Sequence, residues 1–308
     1  MVSPGAGAAR EGFAGHYGPW AVIVGASAGI GAAAADEAAR RGLNVLTVAR
    51  RAPLLEEGAA RIRSAHGVEV RTLAVDLLAP GATAAIVAAT EDLEVGTFVY
   101  NAAAEPRGYF LDVPVAEHLD NITVNCTVPT VLTHHFAAPM ATRRRGAIVL
   151  VSSMGALQGG KVFTSYFAAK AYEWILAEGL WAELAEVGVD AFAYMVGATR
   201  TENYKGQIDG SSDQGGQVPA DRDGAGAGRD QGSGSEDEED GGIDLARRRL
   251  RRPSDPDDVG RHLFAVIGRG PTEFSHPDDA RHAVSVLQLG RGEAVTKMSD
   301  LTTGIRRR

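Results

Sequence analysis

The sequence predicts an α/β protein in three layers, with helices on both faces of a central, mainly parallel seven-stranded sheet. Three observations carry that prediction. From Trp20 onward, short β-branched or apolar runs alternate with longer alanine-rich segments, the rhythm of parallel strands joined by helices. The glycine-rich run GASAGIG directly follows the first of those strands and opens the first of those helices. At 308 residues, 44% hydrophobic and 23% charged, the chain has the length of one large α/β domain and the composition of an ordinary globular protein.

Taken in order, the apolar runs place strands at Ala21 to Val24, Asn44 to Val48, Val68 to Val75, Thr97 to Tyr100, Ala147 to Val151 and Asp190 to Val196. The alanine-rich segments between them place helices at Ile30 to Arg41, Pro53 to His66, Ala82 to Thr90, Val115 to Met140 and Ser165 to Val187. Residues 206–244 break the rhythm with many glycines, few large apolar groups and a dense acidic run. Such a stretch cannot bury enough surface to offset its chain entropy, so a disordered insertion is expected there. The pattern resumes with a helix at Asp255 to Ile267, for which Ser254 is a possible N-cap, and a short seventh strand near Thr272 to Phe274. A last helical segment, Pro277 to Gly290, is expected to cover the sheet edge or a partner subunit. The expected organisation is a flexible segment at 1–18 followed by a single domain at 19–308.

Composition excludes several classes. The net charge of −8 owes much to the local run from Glu236 to Asp240, and the Arg247 to Arg252 cluster follows that run and can neutralise it, so nucleic-acid binding is not expected. No stretch of about 18 uninterrupted apolar residues suggests a membrane span. The first sixteen residues lack the apolar core of a secretory signal. A lone cysteine, Cys126, can form neither an internal disulfide nor a multi-thiolate zinc site, and suits a reducing, cytoplasmic compartment. The adjacent His134 and His135 point in different directions on a helix, with no nearby carboxylate to complete a metal site.

Two regions carry chemistry. In GASAGIG, Gly25 permits a sharp turn, while Gly29 and Gly31 let backbone approach a pyrophosphate and let the helix pack closely; the helix N-terminus offers N–H groups to phosphate. The run VARR closes the second strand with Arg50 and Arg51, where an NAD-preferring enzyme would place a carboxylate for the ribose 2′-hydroxyl. Guanidinium attracts a 2′-phosphate, so Ser27 and Arg50 are the candidates for that pocket and NADP(H) is favoured over NAD(H); an exposed surface arginine is the competing explanation. Farther on, Tyr166 and Lys170 in YFAAK share a helix face, where an ammonium would lower the phenol's pKa and ready it for proton exchange with a substrate oxygen. Ser153, closing AIVLVSS thirteen residues before Tyr166, can orient and stabilise a carbonyl oxygen; Ser152 is the neighbouring alternative.

These motifs together resemble the short-chain dehydrogenase/reductase family. The glycine spacing, with Ile30 between the last two glycines, and the Ser153, Tyr166 and Lys170 spacing both match it, over roughly Trp20 to Thr201 and weakly through the terminal helix. The resemblance implies a Rossmann fold and a catalytic set of Asn125, Ser153, Tyr166 and Lys170, in which Asn125 holds a water linking the lysine to solvent. It implies a cofactor site of Gly25, Ser27, Gly29, Ile30, Gly31, Arg50, Asp76, Asn101, Tyr166, Lys170, Gly197 and Thr201. There Asp76 contacts the adenine, with a capping role as its alternative; Asn101 lines the cofactor site; Gly197 and Thr201 lie near the nicotinamide carboxamide. It also implies a homodimer or homotetramer built on the helices that carry the tyrosine, with Trp174 and Trp181 either contacts or core.

The phrases YGPWAVIVGASAGIG, RGLNVLTVARR, LEVGTFVYN and AEGLWAEL look like the branch of 3-oxoacyl-thioester reductases and hydroxysteroid dehydrogenases, which implies an apolar ketone or aldehyde, or the matching alcohol, as substrate. Its pocket is expected from 104–110, 154–163 and 202–208, with Phe110, Met154, Leu157, Phe163 and Tyr204 supplying apolar surface. Three residues depart from the family pattern: Val24, Ala103 and Val196. Ala103 adds a methyl to a close-packed site, a cost on the order of 1–3 kcal/mol if it crowds. The alternative to a reductase is a nucleotide-binding regulator or scaffold whose acidic insertion recruits a partner.

Overall fold

The computed structural model describes residues 12–201 and 252–306. Its strands are β1 (Trp20–Val24), β2 (Asn44–Ala49), β3 (Val70–Ala74), β4 (Val95–Tyr100), β5 (Ala147–Ser153), β6 (Asp190–Val196) and β7 (Thr272–Phe274). They form one seven-stranded sheet in the order β3-β2-β1-β4-β5-β6-β7, with every pairing parallel. The order reverses between β1 and β4, and the chain leaves these two neighbours in opposite directions across the sheet. That opens a crevice beyond their C-terminal ends, where ligands bind in open parallel sheets.

The helices are α1 (residues 12–17), α2 (Gly29–Arg40), α3 (Ala52–His66), α4 (Ala82–Ala88), α5 (Val115–Ile122), α6 (Val128–Arg143), α7 (Thr164–Ala185), α8 (Pro256–Ala265), α9 (Pro277–Gln288) and α10 (Arg291–Arg306). They cover both sheet faces, so the central strands are apolar throughout: all five residues of β1, WAVIV, are buried. The two-residue period of the strand sends Trp20, Val22 and Val24 into one core with Phe98, Phe136 and Leu150, and Ala21 and Ile23 into the other with Val99, Val149 and Phe192. The alanines of α2 serve close packing. A Cβ on Gly260 of α8 would stand 2.7 Å from the carbonyl carbon of Ala33, so neither helix can carry bulk at this crossing.

Three expectations are revised. Residues 12–17, assigned to a flexible leader, form α1 instead: Tyr17 donates to Asp190 Oδ2 at 2.7 Å and accepts at its carbonyl from Thr97 Oγ1 at 2.7 Å, while Phe13 lies under the Arg41 guanidinium. The long helix expected from Val115 to Met140 is interrupted by a π turn at Thr123–Thr127. Pro129, two residues beyond the turn, has no N–H to give the carbonyl of Asn125 four residues earlier. Beyond α9, which sends Ala283 and Val286 into the core, the chain continues into α10. This helix is fastened to the segment before Tyr166: Lys161 N donates to Ser299 Oγ, Thr302 Oγ1 to Lys161 O, and Arg291 to Leu157 O. The insertion expected at 206–244 lies outside the described residues.

Candidate active site

The glycine turn is built by close approach. Gly25 has φ +89°, and a Cβ there would lie 2.6 Å from the Ala102 nitrogen; a Cβ on Gly31 would lie 2.1 Å from the Gly25 carbonyl oxygen. Asn101, leaving β4, locks the turn by donating from Nδ2 to Gly25 O at 3.1 Å, while its own N–H continues the ladder to Val24 O. At the start of α2, Ala28 provides no side-chain cap and the first turn holds no acid, so its N–H groups and dipole point unchallenged into the crevice. On the far side, Thr201 crosses over the turn, its Cγ2 2.9 Å from where a Gly29 Cβ would be. Gly197 is held through its N–H to Ser275 Oγ, which in turn donates to Asp279. A glycine cradle, an uncapped helix N-terminus and a covering loop fit a dinucleotide pyrophosphate.

At the adenosine end, the guanidinium beside Ser27 is that of Arg51, whose Nε and Nη2 donate to Ser27 Oγ at 3.4 and 3.2 Å. Arg50, the residue favoured from the sequence, is exposed with no hydrogen bond to Ser27. β2 ends at Ala49, and the chain turns before Ala52, which brings the second arginine rather than the first to Ser27. Asp76 caps its own turn, accepting from Leu78 N at 3.1 Å, and its side chain is exposed. Ala103 is exposed, and Val24 is wholly buried in the core.

At the other end of the crevice, β5 delivers Ser153 as its last residue and α7 delivers Tyr166, Lys170 and Glu173 on one face, spaced four and three residues apart. Ser153 Oγ accepts from Gly155 N at 3.1 Å and lies near enough to the Tyr166 phenol to favour its ionised form. Ser152 points the opposite way and donates to the Lys170 carbonyl at 2.7 Å, a packing bond that leaves Ser153 the chemistry. The apolar wall around Tyr166 pushes its phenol above the usual range, reinforced by the charges of Glu105 and Glu173; Ser153 and Arg107 pull the other way. The lowering by Lys170 expected from the sequence is therefore not what dominates. Lys170 is buried, its Nζ 5.9 Å from the Tyr166 ring centre, and donates to Val151 O at 2.9 Å and Glu173 Oε2 at 2.8 Å.

Asn125 sits on the π turn, fully buried. Its side chain grips the Ala104 backbone from both ends, Oδ1 accepting from N at 3.1 Å and Nδ2 donating to O at 2.7 Å. Nδ2 also donates to Asn121 Oδ1 at 2.5 Å, and Asn121 donates to Ser165 O, next to Tyr166. Sequence reasoning missed Asn121 and Glu173. The signals were present: one asparagine four residues before another on a predicted helix, and an acid three residues after the lysine, inward on the same face.

Of the apolar pocket residues, Phe163 packs with Val162, Phe167, Tyr166 and Met298 of α10 beside the phenol. Leu157 belongs to the core instead, and Phe110 stacks on His118, ring centres 4.4 Å apart, on the groove between α5 and α7. Tyr204 and the stretch 202–208 lie outside the described residues. Trp174 is turned toward β7, donating to Glu178 and Thr272, whereas Trp181 is exposed. Among the described residues no helix is long and apolar enough to cross a membrane, and no cluster of three or more His, Cys, Asp or Glu could hold a metal.

Comparison with known proteins agrees with this geometry. A family model described as short chain dehydrogenase matches residues 19–210. The 7β-hydroxysteroid dehydrogenase of Clostridium sardiniense is 34% identical over 188 residues, 61% of this chain and 72% of its own. A solved structure concerned with 7β-hydroxysteroid dehydrogenase stereoselectivity superposes with a TM-score of 0.77 at 24% identity, covering 93% of this chain and 98% of that one; it supports the fold. A short-chain dehydrogenase from Sphingobium yanoikuyae in complex with NADPH gives 0.67 at 27% identity, covering 87% and 94%.

Proposed function

The chain belongs to the short-chain dehydrogenase family, oxidoreductases of CH–OH and C=O groups, and on that premise we propose that it reduces a bulky, apolar ketone with NADPH, or oxidises the matching alcohol. The observation that carries the reading is the placement of Ser153, Tyr166 and Lys170 at one end of a crevice whose other end is the glycine turn. The preference for NADP(H) rests on Arg51 beside Ser27, with no carboxylate at the end of β2, and on the NADPH bound by the Sphingobium yanoikuyae relative. The apolar substrate rests on Phe163 and Met298 beside the phenol and on the steroid named for the Clostridium sardiniense relative.

When bound, the nicotinamide supplies the hydride. Gly25, Gly29, Ile30, Gly31 and Asn101 shape its cradle, and Gly197 and Thr201 close over it. Ser153 donates to the carbonyl oxygen and orients it. As that oxygen gains negative charge it takes the Tyr166 proton, leaving a phenolate that Ser153 and the Lys170 ammonium stabilise. Asn125, on the turn where Pro129 brings no N–H, would hold the water through which Lys170 regains contact with solvent protons.

The functional unit is a homodimer. Leu119 and Ile122 of α5, Val131 of α6, and Tyr172 and Ile175 of α7 are large, apolar and exposed, Ile175 by 60%, on the outer surface of these helices. The lone cysteine suits work in the reducing cytoplasm.

Oxidation of NADPH and NADH by the full chain is the test, with 7-oxo steroids, other bulky ketones and 3-oxoacyl thioesters, for wild type and Tyr166→Phe. Tyr166-dependent oxidation of NADPH is expected. Tight binding without turnover across the panel replaces the reductase by a nucleotide-binding regulator, and absence of binding by either cofactor refutes the reading altogether.

A further inference from the structure

The buried Lys170–Glu173 pair is more than the proton chemistry above requires. Glu173 is wholly buried, one turn beyond Lys170 on α7, on the face that also carries Tyr166. Its Oε2 holds the Lys170 ammonium at 2.8 Å, and its Oε1, equally buried, has no hydrogen-bond partner. A carboxylate with an unsatisfied oxygen in an apolar interior is costly, and a packed apolar side chain there would be at least as stable. Its placement is therefore functional. We propose that Glu173 is a positioning residue that anchors Lys170 on the floor of the site, at the Val151 carbonyl, and sets the pH at which Tyr166 exchanges its proton.

The groups around the pair are few. Facing Glu173 are Lys170 on its own helix, Tyr100 from β4, whose hydroxyl donates to the Val124 carbonyl, and Cys126 from the π turn. Facing Tyr166 are Glu105 and Arg107 from the loop after β4, paired with each other at 3.1 Å, and Ser153 from β5. The Lys170 cation favours phenolate, but the Glu173 charge offsets part of that and raises the phenol itself, so Tyr166 keeps its proton until substrate takes it. Burial holds the Glu173 carboxyl up at about 7 even against Lys170. The arrangement favours Tyr166 as an acid, the form a ketone reductase needs.

The proposal rests on Tyr166 as the proton donor, but its test does not depend on turnover. The ultraviolet difference absorbance between each full-length protein and its Tyr166→Phe counterpart isolates the ionisation of this one phenol. Glu173→Gln keeps an oxygen for Nζ and removes the charge, so Tyr166 should ionise about one pH unit lower; Glu173→Asp, which keeps the charge, should shift it by less than half as much. A purely structural pair would lower the melting temperature of Glu173→Gln and leave the Tyr166 midpoint where it was. Should Glu173→Gln not fold, the Glu173→Asp midpoint decides: a downward shift supports the proposal and none overturns it. A Tyr166 signal at the same pH in wild type and variant, or missing from both up to unfolding, also overturns it.

Discussion

Gly31→Ala offers a stringent check on the cofactor crevice. Its added methyl would sit 2.1 Å from the Gly25 carbonyl oxygen and 2.8 Å from Asn101 Nδ2, against an ordinary contact of 3.4 Å or more. Both neighbours are fixed, one by the backbone turn and the other by its bond to that same carbonyl, so α2 must retreat from the turn by about 1.3 Å. Overpacking of this kind costs about 1–3 kcal/mol, and losing the Asn101–Gly25 hydrogen bond adds about 1 kcal/mol. If the loss falls on the bound state, 2–4 kcal/mol weakens NADPH by roughly 30- to 1000-fold; whatever falls on the fold appears as a lower melting temperature. Calorimetric titration with NADPH, paired with thermal unfolding, separates the two. Gly58→Ala is the control: inside α3, with nothing within 4 Å of the new methyl, it should stabilise by about 0.5–1 kcal/mol and leave binding alone. A Gly31→Ala protein that binds NADPH within about threefold of wild type and melts normally would refute the cradle.

Two further outcomes are expected from other parts of the molecule. Arg51→Ala should raise the Kd for NADPH about tenfold while leaving NADH within about twofold, and Arg50→Ala should do less; equal losses for both cofactors would remove Arg51 from the phosphate pocket. Ile175→Glu, on the exposed outer surface of α7, should convert the dimer to monomer in light scattering without altering secondary structure; a monomeric wild type would dismiss that interface.

Much of this was legible in the chain because the central strands of a sheet covered on both faces must be apolar throughout. WAVIV announces β1, and the glycines after it announce a turn that tolerates no side chain. The Ser153, Tyr166 and Lys170 spacing was equally readable, since a strand end and a helix face bring those positions together. What escaped depended on the reach or surroundings of individual side chains. Arg50 and Arg51 are indistinguishable until the turn after β2 directs one of them to Ser27. Glu173 looks like an ordinary helix-surface acid until α7 is rotated to face β5. α10 has too few buried positions to show a helical stripe, and it is held largely by hydrogen bonds to the Lys161 and Leu157 backbone.

The π turn also sets a phase. Each extra residue in a helical turn rotates the preceding segment by about 100° relative to the helix beyond it. Downstream of the turn, Leu132, Phe136 and Met140 are directed into the sheet; before and within it, His118, Asn121 and Asn125 are directed at Ser165 and Ala104. A helix in regular phase could aim one of these sets but not both. The π turn thus acts as the angular setting for the asparagine pair, and the alignment of the active loop is decided where the helix changes phase.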